Sequence, residues 1–498
     1  MHLAHRVARW SAGSGMALVT LVTLAALAAS APRLAAQRPA QRPAQLSAET
    51  RKYVAVDAPV VVLQHVRLVD GTGAAPRDDQ TVVVTGATIS AVGPAASTPA
   101  PAGARVLDLA GRTVLPGLVM VHEHLFYPTG TVPIYNEHGY SFPRLYLAGG
   151  ATTIRTAGSM EPYTDINLRA MIDTGAIPGP HIDVTGPYLE GPGLGLYQVH
   201  ALTSADDAAG MVRYWADHGA TSFKAYMHVT RAELGAAIAE AHRRGLKLTA
   251  HLCSVTFHEA AALGIDDLEH GILVASDFVP GKQPDTCPAP ANAVANSIAA
   301  TDMAGEAVTG LIRDLVAHHV AVTSTLAIFE TFVPHRPTIY QRALDAMTPE
   351  ARVQYLQNRA RIGEDTASSW TVLFRKEMQF ERAFAAAGGL LLAGSDPTGY
   401  GGVVPGYSNQ RQIELLVESG FTPVEAIGIA TLNGARYLGR ADHIGTVAPG
   451  KAADLLVVRG DPATHIQDVE NAELVVKDGI AYDAQRLFES ARGTVGLH

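Results

Sequence analysis

The feature that most constrains the fold is an alternation of short apolar runs with amphipathic stretches through the middle of the chain. Between about residues 115 and 440, strand-like runs recur, among them GLVMVHEH, ATSFKAYM, KLTAHLCS and LLLAGSDP. Most are separated by segments that begin with Ser or Thr and end at Gly, which is typical of capped helices such as those starting at Ser204 and Thr230. Eight β/α repeats over about 325 residues predict an α/β fold, a (β/α)8 TIM barrel.

Two longer segments interrupt this alternation. Residues 274–317 are rich in proline at first, and residues 331–387 have a largely helical pattern. We interpret both as insertions into the barrel, and the sequence assigns no role to either.

β-rich runs flank the barrel on both sides. From 53 to 114, and again from 441 to 484, short runs of Val, Ile, Leu and Thr alternate with Gly, Asp and Pro turns. This spacing indicates small antiparallel β units. Because the two segments bracket the barrel, we predict that they form one small composite β-sandwich from the N- and C-terminal segments. Residues 485–498 are then a C-terminal tail.

Residues 1–36 have the composition of a secretory signal peptide. Arg6 and Arg9 precede an apolar run, and small residues follow it, with cleavage expected after Ala28 or Ala36. A transmembrane anchor is the alternative, but the apolar run is shorter than the roughly 18 residues that a membrane span needs. We therefore predict export to the periplasm or the extracellular space, with no stable membrane insertion after cleavage.

The residues after the signal peptide form a low-complexity segment. The motif QRPA occurs twice in tandem within residues 37–52. Such proline-rich repeats are typical of semi-rigid tethers, and we interpret this segment as a linker.

Composition excludes several classes of protein. Of the 498 residues, 47% are apolar and 17% charged, so the chain can bury a large core. The net charge of −9 disfavours a nucleic-acid partner. Two cysteines exclude a disulfide scaffold and a cysteine-rich zinc module, whereas 20 histidines favour metal chemistry.

The strongest chemical signal is His122-Glu123-His124 in the first predicted barrel strand. Side chains two residues apart on a strand share a face, so His122 and His124 can bind the same ion. Taken alone, the pair could also be two core or surface histidines.

Three further candidate ligands occur where later strands end. His251 ends KLTAH, His270 lies in DDLEHG, and Asp396 ends LLLAGSD. The C-terminal ends of barrel strands converge on one face. Each residue has a structural alternative: a hydrogen-bonded core histidine, a turn cap with Glu269, or an Asp-Pro turn. Together with the first-strand pair, they predict a metal site.

Lys224 lies in the fourth strand, amid apolar and small neighbours. Strand alternation puts Lys224, Tyr226 and His228 on the inner face, because Phe223 belongs under the outer helices. A buried unpaired ammonium is costly and tends to lose its proton. A neutral lysine can take up carbon dioxide as a carbamate, an anionic ligand with two oxygens. The alternative is an ordinary lysine that extends to water.

These motifs together resemble the amidohydrolase superfamily, specifically its imidazolonepropionase-like and prolidase-like (Xaa-Pro dipeptidase-type) branch. The segments that carry the resemblance are VLPGLVMVHEH (114–124), FKAY (223–226), AHLCSVTFHEAAALGIDDLEHG (250–271), AGSDP (393–397) and the tail at 422–458. It extends over roughly 60–483. The resemblance implies a metal-dependent hydrolase whose (β/α)8 barrel carries a composite β-sandwich.

The resemblance also implies a ligand set for two divalent ions, most simply zinc. One ion is expected on His122, His124 and Asp396, and the other on His251 and His270. Lys224, carboxylated by carbon dioxide, is expected to bridge them.

The sequence departs from the family pattern at three places. The family usually has Asp where Met120 stands, and Asp where Thr156 follows Arg155. The Gly-Gly-His loop common after the third strand in dipeptidase relatives is replaced by GPGLGLYQVH (191–200). Because that loop would touch the substrate, its divergence leaves the substrate the least defined part of the prediction.

The implied reaction is hydrolysis of a carbon–nitrogen bond of amide or peptide type by a metal-activated hydroxide. Asp396 suits a general base that passes a proton to the leaving nitrogen. Tyr226 could donate a hydrogen bond to the oxyanion or simply pack in the barrel, and His228 is a candidate substrate contact. The expected substrate is a small molecule such as a dipeptide or an N-acyl amino acid.

Other functions remain open at this point. The same binuclear centre would serve a lactone or phosphotriester hydrolase, while an intact ligand set argues against a non-enzymatic binding protein on a decayed barrel. An imidazolonepropionase proper is disfavoured, because an exported chain does not fit cytosolic histidine breakdown and that enzyme lacks the bridging lysine. Whether the protein is a homo-oligomer stays open.

Overall fold

The computed structural model describes residues 42–129, 134–337, 339–398 and 401–496. The predicted signal peptide therefore lies outside the described residues. Within them, no helix is both long enough and apolar enough to cross a membrane.

The described residues contain nineteen strands and sixteen α-helices. The strands are β1 (Val54–Val56), β2 (Val60–Leu68), β3 (Arg77–Thr85), β4 (Thr88–Pro94), β5 (Arg105–Asp108), β6 (Arg112–Pro116), β7 (Leu118–Glu123), β8 (Phe126–Thr129), β9 (Ile134–Glu137), β10 (Ala151–Thr156), β11 (His181–Asp183), β12 (Ser222–Ala225), β13 (Lys247–Ala250), β14 (Asp267–Glu269), β15 (Ala321–Ser324), β16 (Leu391–Ala393), β17 (Leu455–Arg459), β18 (Ala472–Lys477) and β19 (Ile480–Asp483). The helices are α1 (Ala48–Arg51), α2 (Ser141–Ala148), α3 (Pro162–Asp173), α4 (Ala205–Asp217), α5 (Arg231–Arg243), α6 (Phe257–Leu263), α7 (Ala293–Ala300), α8 (Glu306–Ala317), α9 (Leu326–Glu330), α10 (Gln341–Ala346), α11 (Pro349–Glu364), α12 (Trp370–Ala386), α13 (Tyr407–Glu418), α14 (Pro423–Gly428), α15 (Gly434–Tyr437) and α16 (Ala484–Ser490).

Eight parallel strands form the barrel, one in each of the predicted runs. Strands β7, β10 and β11 make one hydrogen-bonded arc, and β12 to β16 make the other. A bridge between Thr185 and Ser222 joins β11 to β12. On the other side, the Asp396 amide donates to the His122 carbonyl at 3.2 Å, next to β16 and β7. The prediction of an α/β (β/α)8 barrel is confirmed.

The barrel strands are buried on both faces because the sheet is covered inside and outside. Every residue of β7 and of β10 is buried, as parallel strands under helices require. The helix starts are confirmed as well. Ser204 caps α4, and Thr230 forms a capping box with Glu233 at the start of α5.

The segments before and after the barrel contribute strands to one further sheet. Its nine strands run in the order β1-β19-β18-β17-β6-β2-β3-β4, with β5 paired to β2. The antiparallel pairing of β6 with β17, in register at Val114 and Val457, joins the N-terminal to the C-terminal segment. The two flanking segments therefore form one composite β domain.

Two segments near the ends of the described chain pack against the protein. In the predicted linker, Leu46 and Thr50 are buried, and the Thr50 hydroxyl donates to the Gly175 carbonyl at 2.9 Å. In the predicted tail, α16 buries Leu487 and Phe488. Isolated apolar residues within polar surroundings account for this packing, and they leave no periodic pattern in the sequence.

The two cysteines pair with each other. Cys253 and Cys287, 34 residues apart, form a disulfide. It ties the segment after β13 to the first insertion, close to the candidate ligand His251. One cross-link does not make a disulfide scaffold, so the expectation from composition is unchanged.

Candidate metal centre

The structure brings the predicted ligands together at the C-terminal ends of the barrel strands. All of them are buried except His251, which is partly exposed. The cluster comprises His122 in β7, His124 just after it, Lys224 in β12, His251 after β13, His270 after β14 and Asp396 after β16.

The Asp396 carboxylate lies at the centre of the cluster. Its Oδ1 is 3.2 Å from His124 Nε2 and 3.7 Å from His122 Nε2, and its Oδ2 is 3.8 Å from His270 Nδ1. Ligand atoms of His122, His270 and Asp396 all lie within 4.8 Å of one another. Such separations fit ligand atoms that bind the same ion, each at a metal–ligand distance of about 2.0–2.2 Å.

The remaining two candidates border the same space. Lys224 Nζ is 3.4 Å from His122 Nε2. The His251 ring centroid is 4.6 Å from that of His270 and 4.7 Å from that of Tyr226. Four imidazoles, a carboxylate and a lysine therefore surround one small volume.

Two of the imidazoles have an uncharged hydrogen-bond partner on Nδ1. His124 Nδ1 is 3.2 Å from the Gly158 carbonyl, and His270 Nδ1 is 2.8 Å from the Thr325 hydroxyl. A hydrogen bond on one ring nitrogen fixes the orientation of a histidine ligand and leaves the other nitrogen for the ion. The arrangement around His124 and His270 is that of supported metal ligands.

Glu269 holds the other side of the cluster. Its Oε2 is 3.0 Å from His122 Nδ1 and 2.6 Å from Lys224 Nζ. Its Oε1 accepts a hydrogen bond from Thr249 at 2.5 Å and another from Arg155 at 3.2 Å. Lys224 therefore has a carboxylate partner among the described residues, so the premise of an unpaired ammonium does not hold. Carboxylation of Lys224 stays a prediction.

Sequence reasoning treated Glu269 only as a turn cap. A signal was present, because Asp267 and Glu269 share a face of β14 and both are fully buried. Two buried acids on the inner face of a barrel strand require cationic partners from other strands.

Glu123, between the two histidines of β7, is a second residue that the sequence left unassigned. Its carboxylate accepts hydrogen bonds from the Ser395 amide at 2.9 Å, the Ser395 hydroxyl at 2.5 Å and the Asn409 amide at 2.8 Å. Burial raises the pKa of Glu123 to about 8, against these hydrogen bonds. The contacts fix the residue just before Asp396 relative to β7.

The protonation states suit metal binding. Burial lowers the pKa of His124 to about 4 and that of His251 to about 3, and it lowers the pKa of His270 well below its usual value. Burial would raise the pKa of Asp396, but the neighbouring His122 and His124 outweigh it and hold that pKa well below its usual range. Neutral imidazoles and an ionised carboxylate are the forms that bind a cation.

The backbone adopts a left-handed conformation at two of the candidate ligands. His270 and Asp396 have φ values of +71° and +54°, in the left-handed region that few side chains adopt. A Cβ at Gly394 would lie 2.2 Å from the Cβ of His122, so only glycine allows β16 to approach β7 this closely. The AGSDP motif therefore contains both the glycine that permits this close strand contact and the candidate ligand Asp396.

The two other predicted site residues differ in their placement. Tyr226 lines the cavity above the cluster, and burial raises the pKa of its hydroxyl, so the phenol stays protonated. His228 is absent from the lining of that cavity. It is partly exposed, with Nδ1 2.5 Å from the buried Glu190 carboxylate. The positions of the two family departures, Met120 and Thr156, are both buried.

The cavity has a volume of about 250 Å³. The candidate ligands His124, Lys224, His251, His270 and Asp396 line it, together with Phe126, Tyr135, Met160, Tyr188, Leu194, Leu196, Tyr226, Ile328, Phe329, Phe332 and Thr398. The cluster is therefore reachable by a small molecule.

Comparison with known proteins gives evidence on the family that is independent of this geometry. Residues 113–481 match the Amidohydrolase family profile. A stretch of 63 residues is 41% identical to the imidazolonepropionase of Geobacillus kaustophilus (strain HTA426), and it spans only 12% of this chain and 15% of that enzyme.

Solved structures match over nearly the whole described chain. A prolidase candidate from Bifidobacterium longum has a TM-score of 0.63 and 25% identity, over 87% of this chain and 98% of that one. An Xaa-Pro dipeptidase with bound methionine in its active site has a TM-score of 0.64 and 20% identity, over 85% and 100% of the two chains. By fold, ligand arrangement and family match, the chain belongs to the amidohydrolase family.

Proposed function

We propose that the protein is an exported, metal-dependent hydrolase that cleaves a carbon–nitrogen bond of amide or peptide type. Its substrate is a small molecule from the classes of dipeptides, N-acyl amino acids and related amides. The observation that carries the proposal is the cluster of four imidazoles, Asp396 and Lys224, all buried except His251, beside a cavity of about 250 Å³. Family membership and the prolidase-type structural relatives support it.

The donor set fits divalent cations, with zinc the first candidate. Imidazole nitrogen and carboxylate oxygen are the ligands that zinc takes in catalytic sites. We propose that His122, His124 and Asp396 hold one ion and that His251 and His270 hold a second. Bound ions would supply Lewis acidity toward the substrate carbonyl and would lower the pKa of the attacking water.

Asp396 is proposed as the proton carrier. Its carboxylate is ionised, faces the cavity and lies among the imidazoles. It can take the proton of the attacking water and release it to the leaving nitrogen. Tyr226, a protonated phenol on the same cavity wall, is proposed to donate a hydrogen bond to the substrate carbonyl oxygen as negative charge develops there.

Carbon dioxide is proposed as a second cofactor that carboxylates Lys224. Lys224 Nζ lies 3.4 Å from His122 Nε2. As an ammonium, Lys224 would repel a cation bound by the neighbouring His122, whereas a carbamate would offer such a cation two oxygens. The compensating positive charge beside Glu269 would then come from Arg155 and the ions.

Export is proposed from the N-terminal sequence and is supported by the disulfide. Cys253 and Cys287 are bonded, and disulfides persist in oxidising compartments such as the periplasm and the extracellular space.

The test is an assay of the purified, zinc-loaded protein on dipeptides, N-acyl amino acids, simple amides, lactones and phosphotriesters. We expect hydrolysis of the amide classes, and a loss in kcat of about 10²-fold or more in Asp396→Asn at unchanged metal content. Asp206→Asn, which alters an exposed carboxylate on α4, is the matched control and should leave kcat unchanged. Turnover confined to lactones or phosphotriesters would contradict the proposal.

A further inference from the structure

Most of the cavity lining outside the candidate metal ligands consists of aromatic and aliphatic side chains, three of them tyrosines. Apart from the ligand cluster, eleven side chains face it, and ten of these are aromatic or aliphatic; Thr398 is the exception. Among the described residues that line the cavity, Lys224 is the one lysine or arginine. Outside the candidate ligands, the described part of the lining therefore carries no charged side chain and would contact a substrate mainly by packing.

One wall rises on the His124 side. Phe126 stacks on His124 with ring centroids 4.4 Å apart, and Tyr135 packs edge-on against Phe126 at 5.1 Å. Tyr188 and Tyr226 continue this wall, with their centroids 5.0 Å apart. Aromatic faces and edges in this arrangement favour an aromatic or broad apolar group in the space between them.

A second wall comes from α9 and the turn after it. Ile328, Phe329 and Phe332 line the cavity, and Phe329 packs edge-on against His270 with centroids 5.8 Å apart. Trp370, at the start of α12, supports this wall from behind, 6.0 Å from Phe329 and 4.7 Å from Phe332. Aromatic walls thus lie on two sides of the candidate metal ligands.

The loop that departs from the dipeptidase pattern adds to the apolar lining. Within residues 191–200, Leu194 and Leu196 line the cavity. Tyr197, which follows Leu196 directly, is fully exposed. The loop expected to contact substrate therefore brings leucines to the cavity.

No described cation near the cavity is free to pair with a substrate carboxylate. Lys224 contacts Glu269, as does Arg155 from beneath the cluster. His228 is engaged by Glu190 outside the lining. A carboxylate buried without a cation is strongly disfavoured. A carboxylate attracted to bound ions would occupy the place of the scissile carbonyl.

We infer that the substrate carries uncharged, apolar groups on both sides of the scissile bond, and that N-acyl arylamides are the class that fits best. This inference rests on the proposed function and retains its carbon–nitrogen bond. Among the substrate classes proposed above, it favours the uncharged amides over dipeptides and N-acyl amino acids, because those two classes carry a free carboxylate beside the scissile bond.

The experiment compares amides in which a carboxylate replaces an uncharged apolar group. N-acetyl-4-toluidide and N-acetyl-4-aminobenzoate share the acetanilide frame and differ in a methyl group against a carboxylate on the leaving arene. N-hexanoyl and N-succinyl anilides make the matching comparison on the acyl side. With zinc-loaded protein, we expect kcat/KM for the uncharged member of each pair to be higher by at least tenfold. Equal or higher kcat/KM for the carboxylates would overturn the inference.

Variants of the loop provide an internal control. Leu196→Arg adds a cation to the lining and should improve kcat/KM for 4-aminobenzoate amides relative to toluidides by at least tenfold. Tyr197→Arg adds the same charge at the neighbouring exposed position and should leave the ratio unchanged. If Leu196→Arg is insoluble, Leu194→Arg makes the same test at a partly exposed position. An unchanged ratio in the lining variant would contradict the inference.

Binding supplies a readout that is independent of turnover. By calorimetry on the zinc-loaded Asp396→Asn protein, the toluidide should bind at least tenfold more tightly than the aminobenzoate, and the reverse order would overturn the inference. Failure of the inference and of the proposed function are distinguishable. Hydrolysis of amides without the charge preference overturns only the substrate class, whereas absence of hydrolysis for every amide overturns both.

Discussion

Arg155 is the residue whose loss should most disturb the base of the candidate site. It lies in β10, fully buried, and its guanidinium donates to Ser222 at 3.0 Å, to the Val121 carbonyl at 2.9 Å and to Thr249 at 2.9 Å. It also contacts the Glu269 carboxylate at 3.2 Å. One side chain therefore connects β10 to β7, β12, β13 and β14.

The size of the effect follows from these contacts. Arg155→Met keeps the length and much of the volume of the side chain but removes the charge beside buried Glu269. Glu269 keeps Lys224 as a partner at 2.6 Å, so the main loss is that of the hydrogen bonds that the guanidinium donates to Ser222, the Val121 carbonyl and Thr249. Leaving buried acceptors without a donor costs about 1–3 kcal/mol each, so we expect the free energy of unfolding to fall by roughly 3 kcal/mol or more.

The assay is urea unfolding of the metal-free proteins followed by tryptophan fluorescence, so that metal affinity does not enter the free energy. Arg243→Met is the matched control. Arg243 contacts Glu240 on the surface of α5, and solvent screens that pair, so its loss should change stability far less. A free energy of unfolding for Arg155→Met equal to that of the wild type would refute the proposed electrostatic role of Arg155.

Three further predictions concern the proposed metal ligand Lys224, the disulfide and export. Lys224→Ala should lose bound metal and activity together, with far-UV circular dichroism unchanged, and high propionate should restore part of the activity; Lys224→Arg should not be rescued, because guanidinium stays protonated. Full metal content in Lys224→Ala would exclude the bridging role. Replacing Cys253 and Cys287 together by Ser should lower the free energy of unfolding by roughly 3–4 kcal/mol, given the 34-residue separation, and unchanged stability in urea would contradict this. Intact mass of the protein from its own host should lack the residues up to Ala28 or Ala36; a mass that includes them would favour an uncleaved anchor.

The fold was predictable because its signals are local. The barrel strands were visible as apolar runs, and strand alternation was enough to separate Lys224 from Phe223 in β12. In the structure Lys224 lines the cavity, while Phe223 packs under the outer layer against Gly186. The ligand candidates were also identified from local context, as polar residues at the ends of strands.

The contacts that support the ligands were not predictable in this way. Arg155 and Glu269 are 114 positions apart, and Glu123 and Asn409 are 286 apart. The sequence around Glu269 or Glu123 does not indicate which residue is its partner, because only closure of the barrel brings each pair together. The same applies to Phe329, which lines the cavity from α9 after β15.

The central claim is that the cluster holds two divalent ions and uses both. The direct test is to remove metal with a chelator, return zinc in measured steps, and follow bound metal and amide hydrolysis in the same samples. Activity should rise until about two ions are bound per chain and should not rise further. Full activity at one ion per chain, or turnover that persists in the metal-free protein, would contradict the claim.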